Sequence, residues 1–233
     1  MRANKSHCVE NLRARILTQD VAPGTDLDEA RLAEEYGMSR TPLREVLHRL
    51  AGDGFVQLEE MRGAKVASLD LATLRVFFQT APLIYCSVAS QAAENGTKAQ
   101  LHRLKDTQVA FAKATSDRDV QQSGLLNHRF HEIIGEMAQN PYLFAGLQRM
   151  LIDHTRLSQT FFDPRSTDDK TRVDKSIAQQ DAMISALEKH EAAVMVDLTL
   201  QHWDLSRDQL EKFVRPDPLP LNVIALKDRA HAV

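Results

Sequence analysis

The stretch Leu27–Gly63, LDEARLAEEYGMSRTPLREVLHRLAGDGFVQLEEMRG, constrains this chain more than any other. Its apolar residues follow two helical periods and then an alternation. Leu32, Ala33 and Tyr36 give one short apolar face, and Gly37 breaks it. Ser39 is a residue type that caps a following helix, and Pro42 falls in that helix's first turn, where its missing N–H costs nothing. Leu43, Val46, Leu47 and Leu50 recur at i, i+3, i+4 and i+7, a single core-facing stripe. Gly52 and Gly54 are expected to end the helix. Phe55–Glu59 and Ala64–Ala67 can then pair as strands about a turn holding Arg62 and Gly63. Helix, tight turn, helix and a two-stranded wing make a winged helix-turn-helix, whose second helix enters a DNA major groove N-terminal residues first.

The face beside the apolar stripe carries Thr41, Arg44 and His48, with Arg40 at the helix start. A charged helix face is ordinarily just solvated. Arg40 and Arg44, however, lie one turn apart at a helix N-terminus, where side chains and dipole both favour phosphate or guanine. The net charge is −3, so the chain is not a globally basic nucleic-acid binder. Affinity for DNA has to come from local cations such as Arg40, Arg44, Arg62 and Lys65.

The run GMSRTPLREVLHRLAGDGFV resembles the signature of the GntR family of bacterial transcription regulators. That resemblance implies that Arg40, Thr41, Arg44 and Gly63 touch operator DNA and that Arg49 contacts the backbone or serves the structure. It assigns Glu45 a structural part in the motif.

Around this unit the chain divides simply. Residues 1–7 read as a disordered lead, and Val9, Leu12, Ile16 and Leu17 are spaced as a first helix. Val21–Asp26 reads as a turn punctuated by Pro23-Gly24. The DNA-binding unit is expected over residues 1–69. From 70 to 233 the pattern is helical only, with helices near 71–95, 98–115, 118–139, 141–161, 170–189 and 191–213. Asn95-Gly96, Asn140-Pro141, Asp163-Pro164 and Lys189-His190 mark the breaks. The fold class is therefore mostly α: a winged helix-turn-helix followed by an all-helical antiparallel bundle. Asp70 is placed to cap the first bundle helix. Its Leu74, Val76, Phe77, Phe78, Leu83, Ile84 and Val88 fall on more than one side, and such a helix needs two partners, so a homodimer through the bundle is expected. The Pro-rich tail from Arg215 carries an apolar patch, Leu219–Leu226, expected to pack on the bundle or on a second subunit.

The two cysteines, Cys8 and Cys86, have neither metal spacing nor a disulfide framework, which suits a reducing cytoplasm. Met1–Glu10 is polar and unlike a signal peptide. No apolar run approaches the roughly 20 residues needed to span a bilayer, so no membrane partner is expected.

A winged helix followed by such a bundle resembles the FadR-like GntR regulators, whose C-terminal effector domain is called FCD. NHRFHEIIGEMAQNPYL and SIAQQDAMISALEKHEAAVMVDLTLQHW carry that resemblance in the bundle. In many FCD domains an Asp and three His hold a divalent metal that a carboxylate effector completes. The matching positions here are Asn127, His131, Gln180 and His202. Only His131 and His202 keep metal-ligating side chains, and neutral amides are weak ligands, so a metal is disfavoured. The periodicity gives these positions interest of its own. Gln180 interrupts the stripe Ile177, Ile184, Leu187, and His202 extends Val194, Leu198, Leu205. Asn127 and His131 are i, i+4 neighbours beside Leu126, Phe130, Ile134 and Met137. Polar groups on core faces must find partners. The expectation is a metal-free cavity that hydrogen-bonds a small organic or sugar acid, with Arg156 and His154 supplying positive charge and His128 facing out. The competing reading is a helical-bundle enzyme with a fused DNA-binding module. No nucleophile–base pair, paired carboxylates or phosphate loop supports it.

Overall fold

The computed structural model describes residues 5–59 and 63–214. Their first layer is α1 (Lys5–Leu17), β1 (Asp26–Leu27), α2 (Glu29–Glu35), α3 (Arg40–Asp53), β2 (Val56–Glu59) and β3 (Gly63–Val66). α1 buries Cys8, Val9, Leu12, Ile16 and Leu17, one continuous stripe that starts further back than expected, because Lys5–His7 already belong to the helix. The stripe Leu43, Val46, Leu47, Leu50 of α3 is buried against it, together with Leu27, Leu32, Phe55 and Val66.

The wing has three strands rather than two. β1 pairs antiparallel with β3, Asp26 opposite Lys65 and Leu27 opposite Ala64, giving the order β1-β3-β2. Asp26 thus ends a turn and begins a strand. Two residues are too few to show an alternation, so periodicity had nothing to detect. On the other side Val56 faces Val66 and Glu59 faces Gly63. Arg62, expected in the turn of the wing, lies outside the described residues.

Ser39 is the N-cap of α3 without a side-chain hydrogen bond, and Gly52 lies inside the helix. Gly54 alone terminates it, with φ +89°. An L side chain there would also run into Arg149, whose guanidinium donates to the Gly54 carbonyl. Asp28 caps α2 by accepting from the amides of Ala30 and Arg31.

The second layer is a bundle of six helices: α4 (Leu71–Asn95), α5 (Lys98–Ser116), α6 (Val120–Met137), α7 (Pro141–Phe161), α8 (Thr167–Glu188) and α9 (Ala192–Val214). Side chains cap five of the six. Asp70 accepts from Thr73 N, Thr97 and Gln100 form a capping box, and Asn140 caps α7 with Pro141 in its first turn. Asp119 caps α6 and Ser166 caps α8, starting the latter at Thr167, earlier than the periodicity suggested. His190, at φ +57°, makes the tight α8–α9 turn. The bundle core joins Phe77, Tyr85 and Ala89 of α4 to Phe130 and Ile134 of α6, Leu147 and Leu151 of α7, Met183 and Leu187 of α8, and Trp203 of α9. The tail from Arg215 lies outside the described residues.

One sequence expectation needs correction here. Among the described residues α4, 25 residues long, is both long and apolar enough to cross a bilayer by length and composition. It is the central helix of the bundle, carrying Pro82 and burying Phe77, Ala81, Tyr85, Val88, Ala89, Ala92 and Ala93 against its neighbours. Core helices pass the same composition test as membrane spans.

The layers share a core. Ile152 of α7 is 2% exposed and packs into the cluster of α1, α3 and the wing. Four residues on, Arg156 is 1% exposed, donates to the Ala67 carbonyl at 2.6 Å and pairs with Asp153. The Gln19 amide donates in turn to the Arg156 carbonyl.

Gly54→Ala should lower the unfolding free energy by about 1–2 kcal/mol for the left-handed backbone alone, and by more once Arg149 is displaced. Denaturant unfolding monitored by circular dichroism measures this, and unchanged stability would contradict the cap geometry.

Candidate functional site

Two surfaces collect the residues singled out by sequence. The first is the outer face of α3 and the wing. Arg40, Thr41, Arg44, His48 and Arg49 are all exposed on α3, because the buried stripe turns the opposite side inward. Gly63 begins β3 at φ +87°, and Lys65, two residues on, lies 3.9 Å from the carboxylate of Asp26, its partner across the strands. Glu45 is taken up by an ion pair with Lys5. An open groove of about 830 Å³ runs between α2, α3 and the wing, lined by Arg40, Arg44, His48, Gly63 and Glu29. Glu29 has no place in the sequence reading, yet its carboxylate receives the Arg44 Nε–H at 2.9 Å. The two residues are 15 apart on different helices, and no periodicity links them.

The second surface is internal. Asn127, His131, Gln180 and His202 are 3%, 5%, 0% and 7% exposed, so α6, α8 and α9 bury all four in one bundle. The Gln180 amide donates to Asn127 Oδ1 at 2.7 Å. His202 Nδ1 lies 3.1 Å from Gln179 Oε1. The His131 ring centroid is 5.6 Å from that of His202 and 5.4 Å from that of His154. His154 Nδ1 in turn lies 2.7 Å from the Tyr85 hydroxyl. His131 Nε2 and Gln180 Oε1 are buried without a hydrogen-bond partner among the described residues. Such atoms are rare in folded proteins and ask for a ligand or a water. Two small cavities of about 10 Å³ each, room for one water, lie in the cluster: one between Asn127, His154, Ser158, Ser176 and His202, the other beside His131, Tyr85 and Thr199.

The structure does not bring Arg156 to this cluster. Its guanidinium is engaged at the seam between the layers, by Ala67 and Asp153. His154 does join the cluster, but not as a cation. Burial, and then the neighbouring His202 and His128, push its pKa down to about 3. Burial pushes His202 down to about 4. His131 falls well below the ordinary imidazole range, first through burial and then through His154, His202 and His128. His128 does not face out; it is half-buried, with Nδ1 2.8 Å from the Thr155 hydroxyl, and burial lowers its pKa despite nearby Glu132. Tyr85, Ser158, Ser176 and Gln179 were missed by sequence, since a single Tyr, Ser or Gln on a helix carries no pattern of its own.

The donor set does not suit a divalent metal. Asn127 stands where an anionic ligand would help, and its oxygen already accepts from Gln180. The cluster's amides and neutral imidazoles offer no charge to offset a dication. What it can do is present neutral donors and acceptors to a small polar molecule.

A winged helix-turn-helix carrying an exposed Arg-rich helix, joined to a bundle with a buried polar centre, defines a ligand-responsive DNA-binding regulator. Residues 4–66 match the bacterial regulatory proteins of the gntR family, and residues 78–205 match the FCD domain. The chain belongs to the FCD-containing GntR family of transcription regulators. It is 25% identical over 193 residues to the HTH-type transcriptional repressor RspR of Escherichia coli K12, covering 81% of this chain and 82% of that one. It is 24% identical over 203 residues to the gluconate operon transcriptional repressor of Bacillus subtilis 168, covering 86% and 82%. Its fold is similar to that of E. coli McbR/YncC, with a TM-score of 0.77 at 18% identity over 92% of this chain and all of the other.

Because the cluster imidazoles stay neutral when folded but take up protons near pH 6.5 when unfolded, the unfolded state binds more protons below that pH. Stability is therefore full above about pH 6.5 and falls as the pH drops toward 4 and 3. The slope is about 1.4 kcal/mol per pH unit for each imidazole held neutral. Denaturant melts between pH 7.5 and 4.5 test the slope, and His202→Gln should flatten it.

Proposed function

We propose that this regulator binds operator DNA as a homodimer and that a small organic or sugar acid, held in the bundle without a metal, alters its affinity. We take the boundary between DNA-binding and effector parts at residues 69 and 70. Arg40, Thr41, Arg44, Arg49, Arg62, Gly63 and Lys65 are the DNA contacts, with base reading by the α3 N-terminus and phosphate contacts from the wing. Asn127, His131, Gln180 and His202 are the effector contacts, joined by His154. The protein works as a soluble cytoplasmic regulator rather than an enzyme or a membrane protein.

The observation that carries this reading is α7. Two turns of this helix carry His154 and Ser158 beside the buried cavity and Ile152 and Arg156 in the seam with the DNA-binding unit. A ligand larger than one water must shift cavity side chains to enter. It therefore binds better to a state in which α7 has moved, and it biases whatever is attached to α7. The hydroxyls of a sugar acid suit the amides and imidazoles, and the repressor of a gluconate operon is among the relatives.

The second subunit is assigned to the outer face of α4, where Leu71, Val76 and Leu83 are 65%, 59% and 69% exposed. Dimerisation there sets two recognition helices toward successive major grooves of a near-palindromic site.

Thermal-shift screening of gluconate, other sugar acids and simple organic acids, each with and without EDTA, tests the effector assignment. A stabilising acid whose effect survives EDTA is expected, and His131→Ala should abolish it. A full equivalent of bound zinc, nickel or manganese in the purified protein would overturn the metal-free assignment. Leu83→Glu should shift the protein to monomer at micromolar concentration in sedimentation velocity, and a persisting dimer would move the interface elsewhere.

A further inference from the structure

We infer that Glu29 determines the sequence specificity of this protein by holding Arg44 for guanine and withholding it from phosphate. The inference rests on the operator-reading role proposed above for Arg44. A carboxylate in the middle of a DNA-facing groove is at first sight a liability, since it repels the polyanion it is meant to meet. Glu29 is nevertheless firmly placed there. It opens α2 directly after the Asp28 cap, it is only 21% exposed on its side chain, and its Oε2 accepts from Arg44 Nε at 2.9 Å. The wing closes over it: a Cβ added to Gly63 would sit 3.8 Å from Glu29 Oε1, and the φ of +87° there already disfavours a side chain. Arg44 itself is 62% exposed. Without Glu29 a long side chain so placed would sweep freely over the groove.

The geometry of the pair separates two kinds of contact. An arginine offers five N–H groups in a planar fork. Engaging Nε fixes the plane of the fork and leaves the N–H groups of both Nη atoms to point outward. Two of those match O6 and N7 of a guanine in the major groove, so guanine and Glu29 can hold Arg44 together. A backbone phosphate offers charge without that fit. It competes with Glu29 for the same guanidinium and is repelled by the carboxylate besides. Arg44 therefore contributes little to sliding on random DNA and fully to the matched site. The ratio of specific to non-specific affinity widens without any new contact, and that ratio is what decides occupancy among many competing sites.

The test uses the full-length protein and a randomised double-stranded library to obtain a preferred site. Anisotropy titrations on that duplex and on a scrambled one follow, over a range of salt. Wild type, Glu29→Gln, Glu29→Asp and Arg44→Ala are compared, with thermal unfolding to confirm that each is folded. Glu29→Gln is expected to bind scrambled DNA roughly fivefold tighter, the size of one unit-charge interaction at contact distance in water. Its salt slope on that duplex should steepen by about one, as one more phosphate is neutralised. It should also lose preference at the same base pair of each half-site that Arg44→Ala loses, and Glu29→Asp should restore part of that preference. A Glu29→Gln protein that keeps the wild-type base preference and the wild-type affinity for scrambled DNA would overturn the inference while leaving Arg44 as a reader. Recovery of no preferred site by the wild type would remove the reading role of Arg44, and this inference with it.

Discussion

The arrangement of the whole molecule depends on a cation with no access to water. Arg156 is among the largest fully buried side chains, and it lies where the winged layer meets the bundle. Removing a guanidinium from solvent costs several kcal/mol unless charge and hydrogen bonds are returned to it. Asp153, one turn earlier on α7, returns the charge, and the carbonyl of Ala67 returns a hydrogen bond from the last residues of the wing. The guanidinium keeps both of its Nη partners only while α7 and the Ala67 carbonyl stay together. Gln19 on the α1–β1 loop, bonded to the Arg156 carbonyl, and Gly54 at the end of α3, bonded to Arg149 of α7, extend the same attachment to two further points. Three separate pieces of the DNA-binding unit are thus tied to one bundle helix, which makes α7 the natural lever between the two halves.

How far the sequence discloses this depends on the range of each interaction. The wing, the recognition helix and the bundle helices are written in local periodicity and in caps such as Asn140-Pro141 and Thr97, and they are legible. The burial of Asn127, His131, Gln180 and His202 is legible too, because Gln180 interrupts and His202 extends an apolar stripe, and Asn127 and His131 sit one turn apart beside another. β1 was not, since two residues cannot alternate. The true position of Arg156 was not, because a charge on a helix looks the same whether it faces a cavity or a carbonyl 89 residues away. The Arg44–Glu29 pair was invisible for the same reason. Residues whose partners lie on other elements carry their roles in tertiary geometry, and the family resemblance marks the positions but not their partners.

The polar centre of the bundle illustrates how chemistry changes while a scaffold persists. With an amide in place of the carboxylate at 127 and another in place of the imidazole at 180, the two side chains satisfy each other directly at 2.7 Å. The remaining imidazoles lie close together in a dry environment and resist protonation, since each added charge would oppose its neighbours. The result is a buried polar centre held together by hydrogen-bond geometry rather than by charge.

Ile152 has a consequence for the way such proteins diversify. Regulators of this architecture look like interchangeable parts, a reader joined to a sensor, and recombination between genes should be able to trade one sensor for another. Here the reader's hydrophobic core is completed by a side chain that the sensor supplies. A transplanted sensor without a matching apolar residue at that point would leave a void beneath α1 and α3, and one with a larger residue would push them apart. The pairing of reader and sensor is therefore inherited as a unit at this joint, and new ligand responses are reached more readily by substitution inside the bundle than by exchange of the bundle itself.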